Sequence, residues 1–279
     1  MKIKQTILLF TAILSGAVFF LILVGIHPWA KAQDGGSRND ADTVSAVLKD
    51  NVGRQDCKAR VMENYAMLSQ PPGEDSVLTF QTVVDAELVD TTFGAASVST
   101  FKVTMNSRRI QMESKDFTMI RDTSMLLLTL PSLQTIYLYK LQGEEDDHDP
   151  VAEMTEFLTA RDELFAACSV VDCALEKDTD GSEYQKVILS PDPQTRRISG
   201  VKEFTVWLDT EKKIVHRVKL VPFYPAEYRQ ITWTFENLHR SLPPTGFTQP
   251  VETHVLADNG RLKSDYAGYT LEDNRLTTQ

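Results

Sequence analysis

The chain has 279 residues, 42% of them hydrophobic and 24% charged, which is the composition of a globular protein with enough apolar surface for a sizeable core and excludes disorder. Its 13 Gly and 12 Pro are too few for a collagen-like or low-complexity chain. A formal charge of −10 argues against nucleic acid as a partner, because neutralising phosphates takes clustered Lys and Arg.

Lys2 and Lys4 precede an uncharged apolar run from Thr6 to Ile26, followed by Ala30-Lys31-Ala32. This pattern resembles a secretory signal peptide cut after Ala32. The run is longer than an ordinary signal core and, at about 1.5 Å per residue, spans a hydrocarbon layer of about 30 Å, so an uncleaved anchor is the alternative. In both readings the positive N-terminus stays inside and the body crosses the membrane, in one case retained on it. Residues 1–32 carry Lys2, Lys4 and Lys31 and no acid, which leaves the exported part with 26 basic against 39 acidic groups, or −13.

Residues 33–41 are polar and read as a linker. After Asp42 the apolar residues Val44, Val47, Leu48 and Val52, then Cys57, Val61, Tyr65 and Leu68, recur at helical spacing, with Gly53 a candidate break and Pro71-Pro72-Gly73 the stop. Thereafter the period becomes two. Phe101, Val103 and Met105 alternate with polar residues, as do Ile110 and Met112, Phe204, Val206 and Leu208, and Ile231, Trp233 and Phe235. Less regular strands are expected at 77–89, 117–121, 125–130, 133–139, 184–189, 214–221 and 251–256. Asn106-Ser107, Asp209 to Lys212 and Asp258-Asn259-Gly260 supply turns between close neighbours, which therefore pair antiparallel. Ten or eleven such strands favour a strongly curved sheet.

The stretch 151–168 departs from this pattern. Met154, Phe157, Leu158, Arg161, Leu164, Phe165 and Cys168 share a helical face, after the acidic loop 143–149. A single inserted helix needs an apolar surface, and the concave side of the sheet offers one. Three cysteines remain after export. Cys168 and Cys173 would close a small loop if a turn brought their Cα atoms within about 7 Å, leaving Cys57 as a buried thiol.

Motifs for catalysis and metal binding are missing from the linear sequence. None of His148, His216, His239 and His254 has a second His at ligand spacing, and neither G-x-S-x-G nor a phosphate-binding glycine loop occurs. The run from Glu176 to Gly181 begins like a calcium loop, but Val187 stands where the twelfth-position Glu belongs, so Asp180-Gly181 reads as a turn. A non-enzymatic protein without cofactor or metal is the expectation.

The helix leading to Tyr65, the pair Phe101-Lys102-Val103-Thr104-Met105 and Arg109-Ile110-Gln111-Met112-Glu113, and the later Phe204 to Asp209, Ile214 to Val218 and Thr232 to Asn237 together resemble the LolA-type outer-membrane lipoprotein carriers. The likeness covers residues 42–256 and leaves 257–279 as a C-terminal extension. It implies a mainly β (α+β) fold: a curved antiparallel half-open barrel covered by an N-terminal and an inserted helix. It also implies a periplasmic carrier or binder of lipoproteins or other acylated ligands, working with inner- and outer-membrane sorting components. On this reading Phe101, Val103, Met105, Ile110, Met112, Ile231, Trp233 and Phe235 line an apolar cavity, and Phe157, Leu158, Leu164 and Phe165 belong to the lid. The family latches its lid with an arginine, for which Arg108, Arg109 and Arg121 are available here. A membrane-anchored sensor or scaffold of the same fold, recognising a protein partner, is the alternative.

Overall fold

The computed structural model describes residues 51–69, 72–89, 96–141, 163–178, 181–224 and 228–275. The N-terminal apolar run, the linker, the acidic loop 143–149 and the lid positions Phe157 and Leu158 lie outside them. No helix among the described residues is long and apolar enough to cross a membrane.

The architecture is mainly β: one twelve-stranded sheet, accompanied by few helices. Helix α1 runs Asn51–Ser69, unbroken at Gly53. Cys57, Val61 and Tyr65, four residues apart, are its buried stripe. That burial outweighs the cost of about 1 kcal/mol that a helix-interior glycine carries.

The strands are β1 (Val77–Leu88), β2 (Ala96–Met105), β3 (Ile110–Glu113), β4 (Thr118–Arg121), β5 (Met125–Leu130), β6 (Thr135–Lys140), β7 (Cys168–Lys177), β8 (Glu183–Pro191), β9 (Val201–Asp209), β10 (Ile214–Pro222), β11 (Tyr228–Ser241) and β12 (Thr270–Asn274). Their order in the sheet is β12-β6-β5-β4-β3-β2-β1-β11-β10-β9-β8-β7. The sheet does not close, and β12 and β7 are its edges. The ladders from β2 to β6 and from β7 to β10 are antiparallel, whereas β12 joins β6 in parallel.

Twelve strands, not ten or eleven, make the sheet, and three positions correct the sequence reading. Residues 251–256 do not form a strand: Val251–His254 is a 3-10 turn, and Val251, Val255 and Leu256 are buried at a helix-like spacing. Residues 168–177 are strand β7, so the helical stretch ends at 163–166 and Cys168 is its neighbour in the sheet rather than part of its face. The segment 257–279 supplies the edge strand β12. A short helix α2 (Pro193–Ser199) also connects β8 to β9. Asp192 caps its start, accepting from the Gln194 and Thr195 amides, Pro193 opens it, and Gly200 at φ +68° ends it.

The chain divides into two compact units, with β1 and β11 each divided between them. The first gathers α1, β7 to β10 and α2. In it Phe165 packs between Tyr65 and Phe204, at centroid distances of 5.2 and 5.6 Å. On the other side of its ladder Trp207 donates to Glu176 and is flanked by the cations of Lys186 and Arg217. A disulfide joins Cys57 of α1 to Cys173 of β7, and Cys168 is the free, buried thiol. The local Cys168–Cys173 staple is thereby corrected. Both residues lie on one extended strand, where five steps of about 3.3 Å put their Cα atoms far beyond bonding range.

The second unit gathers β2 to β6, β12 and the segment between β11 and β12. That segment crosses one face of β4 to β6 like a strap. Val251, Val255 and Leu256 bury Ile120, Leu127, Ile136 and Leu138, and Leu262, Tyr266, Tyr269 and Leu271 pack around them.

Candidate functional site

Three side-chain-pinned turns set the register of the second unit. Asn106 Oδ1 accepts from the Arg108 and Arg109 amides at 3.0 and 2.9 Å, Ser114 Oγ accepts from Asp116 and Phe117, and Asp122 Oδ1 accepts from Ser124 and Met125 at 2.8 Å. Such Asx and Ser turns fix where each hairpin reverses, and register decides which face every side chain joins.

The result is two cross-strand rows on the face opposite the strap. Val103, Met112, Met119, Leu128 and Tyr137 stand in register across β2 to β6, and Met105, Ile110, Arg121, Leu126 and Tyr139 form the next row. Thr79 contacts Thr104, and Gln81 contacts Glu236, through side chains on the strap's face of the sheet. Alternation then turns Phe80, Trp233 and Phe235 toward the rows, and Phe80 and Phe235 meet edge-on at 5.9 Å. The structure thus brings Val103, Met105, Ile110, Met112, Trp233 and Phe235 to one face, with Phe101 at the next alternate position on β2 and 6.0 Å from Phe117. Ile231 occupies the preceding alternate position on β11.

Exposure changes along the rows. Val103 at 0%, Met112 at 2% and Met105 at 6% are enclosed, Ile110, Met119, Leu126, Leu128 and Tyr137 are half-buried, and Tyr139 is 36% exposed. Four strand spacings of about 4.8 Å make each row about 19 Å long. The half-buried apolar members, Met119, Leu128 and Tyr137 in the first row with Leu126 beside Arg121 in the second, extend over about 10 Å of this face. Met119, Leu126, Leu128, Tyr137 and Tyr139 were not singled out in the sequence, because strands 117–121, 125–130 and 133–139 lack clean alternation. The turn residues Asn106, Ser114 and Asp122 carry the signal that finds them.

The candidate arginines have separate places. Arg108 makes an exposed ion pair with Glu74 at 2.7 Å, with side chains 66% and 55% exposed. Arg109 is buried: its Nη2 donates to Asp122 Oδ2 at 3.1 Å, and its Nη1 donates to the Phe247 carbonyl of the strap. Arg121 stands in the second row, between Ile110 and Leu126. Burial opposes ionisation of Asp122, yet hydrogen bonds from Ser124, Arg109 and Met125 outweigh it and hold its carboxyl below the usual carboxylate range. His254 in the strap has a buried Nε2 with no hydrogen-bond partner among the described residues. Burial, then the charges of Arg109 and Lys263, push its proton affinity down.

Of the lid candidates, Leu164 and Phe165 are buried in the first unit. His216 is the extra residue of a bulge in β10 and stacks on Tyr184 at 4.2 Å. Asp178 and Gly181 form the turn into β8, and Asp178 pairs with Arg217. Among the described residues no cluster of three or more His, Cys, Asp or Glu side chains could hold a metal ion.

No protein-family model and no curated protein matches the sequence. The resemblance to LolA-type proteins is met among solved structures. A LolA superfamily protein from Nitrosomonas europaea is similar over 67% of this chain and 97% of its own, at 8% identity and a TM-score of 0.27. A conserved protein from Thermus thermophilus matches over 79% of this chain and 100% of its own, with 8% identity and a TM-score of 0.36. The Pseudomonas aeruginosa MucA/MucB complex matches over 75% of this chain and 63% of that chain, with 11% identity and a TM-score of 0.38.

Proposed function

We propose that the protein is a periplasmic, non-enzymatic carrier or binder of lipoproteins or other acylated ligands, which shields an acyl chain against the apolar members of the two rows. The observation that carries this reading is the one-sided arrangement in the second unit. The strap seals one face of β4 to β6 with a dedicated core, while the opposite face presents the half-buried apolar side chains of Met119, Leu126, Leu128 and Tyr137. Each methylene withdrawn from water contributes about 0.8 kcal/mol, so binding needs extended apolar contact and no catalyst. The three methionines Met105, Met112 and Met119 suit such a wall, since an unbranched thioether adapts to ligands of irregular shape.

Purification of the full chain from its native membrane and periplasmic fractions, followed by lipid extraction and mass spectrometry, tests the proposal. Acylated ligand in stoichiometric amount is the expected result. A Leu128→Asp variant should bind a fluorescent fatty acid at least tenfold more weakly, because losing contact with two methylenes alone is worth roughly that factor. Equal binding by Leu128→Asp and by the wild type, or a wild-type protein that never carries acylated ligand, would overturn it.

A further inference from the structure

We infer that the end of the first unit where α2 meets the terminus of β10 is a docking surface for an anionic lipid bilayer. The inference is independent of the acyl-binding rows, which belong to the other unit.

Two of the most exposed large apolar side chains of the described residues meet here. Ile198 of α2 is 63% exposed, and Tyr224, just after β10, is 64% exposed. The Phe223 amide donates to the Gly200 carbonyl at 2.7 Å, and Val201 pairs with Pro222, so the two connections are held side by side. Phe223 and Tyr224 pack edge-on at 4.6 Å, which extends the apolar patch.

The charge of the patch is opposite to that of the chain. From Pro193 to Lys202 the sequence carries Arg196, Arg197 and Lys202 and no acid, in a protein of formal charge −10. Asp192 is occupied as the helix cap, accepting from the Gln194 and Thr195 amides and from the Thr195 hydroxyl. Glu203, the next acid, lies further along the β9–β10 ladder opposite Val221. Arg196 braces the platform, donating through Nε to the Pro191 carbonyl and through Nη2 to Ser190 Oγ. Arg197 and Lys202 are exposed.

Exposed apolar and aromatic side chains with Arg197 and Lys202 on the same capped connection, net +1 from Asp192 to Glu203, match the requirements of an anionic bilayer interface. Tyr is favoured at headgroup depth, Ile reaches the acyl boundary, and Arg and Lys meet anionic phosphates within a Debye length. Net negative charge elsewhere is repelled by the same surface and turns this end toward it. The capped helix and the bonded Gly200–Phe223 junction mean that little ordering is required on contact.

The test is hydrogen exchange of the full chain with vesicles of phosphatidylcholine, with and without phosphatidylglycerol. The expected result is added protection in peptides covering 194–202 and 219–224 only when phosphatidylglycerol is present, fading as salt rises. Because the readout is local, any insertion of the apolar run Thr6 to Ile26 into either vesicle would not imitate it. The double variant Arg197→Glu, Lys202→Glu should need at least twentyfold more lipid for the same protection, since each cation near an anionic surface is worth about fivefold in partition. Ile198→Ser with Tyr224→Ser should lose it as well, and the milder Arg197→Gln, Lys202→Gln pair gives a second reading with the fold undisturbed. Equal protection by both vesicle types, protection kept in the charge-reversed variant, or protection confined to other peptides would overturn the inference.

Discussion

Arg109 joins the β2–β3 and β4–β5 turns to the strap, because one guanidinium serves both the Asp122 carboxylate and the Phe247 carbonyl. With the two side chains 8% and 19% exposed, removing the cation strands a half-buried carboxylate, and Arg109→Ala should cost about 3 kcal/mol. Urea unfolding would show this as a lower midpoint at unchanged slope. Arg109→Lys should recover little, since a point charge cannot span both acceptors. The pH response follows from the histidines. His254 and His216 both have folded proton affinities depressed from the ordinary value of 6.5, by burial first and then by Arg109 and Lys263 or by Arg217. The unfolded chain therefore takes up these protons first, so the stability they contribute is intact above about pH 6.5 and declines as pH falls through the depressed folded values. Asp122, Asp209 and Asp273, depressed from 3.8, add a second loss only as pH falls below that ordinary value. Melting temperature against pH should show two stages, with the upper one diminished in His254→Gln.

At the scale of elements, legibility followed amphipathicity. Ten of the eleven expected strands exist, and in β8 and β11 burial alternates along the strand, which writes a period of two into the sequence. Strand β7 escaped notice because an edge strand is wet on both sides: Val171 and Leu175 are 51% and 65% exposed, and no alternation remains to be read. Strand β12, Thr-Leu-Glu-Asp-Asn, is concealed for the same reason. In 251–256 the alternation of Val251 and Val255 imitated a strand, although burial of Leu256 beside Val255 gives the 3-10 turn away. Helix α2 carries its signal in Asp192-Pro193 and Gly200, whose cap, first-turn and stop roles outweigh its lack of an apolar stripe. Asp192→Ala should lower the melting temperature, because the Gln194 and Thr195 amides lose their acceptor. The apolar rows could be read only in half, since strand patterns name inward residues but turns decide which of them align.

For the molecule as a whole, the strap and β12 make residues 257–275 part of the second unit. Leu262, Tyr266, Tyr269 and Leu271 cover the cluster formed by Ile120, Leu127, Ile136 and Leu138. A chain ending at Leu256 should expose that cluster, bind a hydrophobic dye in its native state and aggregate on mild heating. Dye fluorescence and light scattering against the full chain would measure this.

The Cys57–Cys173 bond spans a separation of 116 residues, yet Cys168 lies only five positions from one partner. Loop entropy in the unfolded chain favours closure of the short Cys168–Cys173 ring over the native one. It distinguishes a Cys57–Cys168 ring from the native ring by less than about 0.1 kcal/mol. Random oxidation is therefore biased toward the wrong partner, and only the extension of β7 and its seating beneath α1 reverse the preference. The correct sulfur pair is then a chemical record that the edge of the sheet was assembled before oxidation became permanent, and thiol mapping of early refolding samples would catch the small ring first.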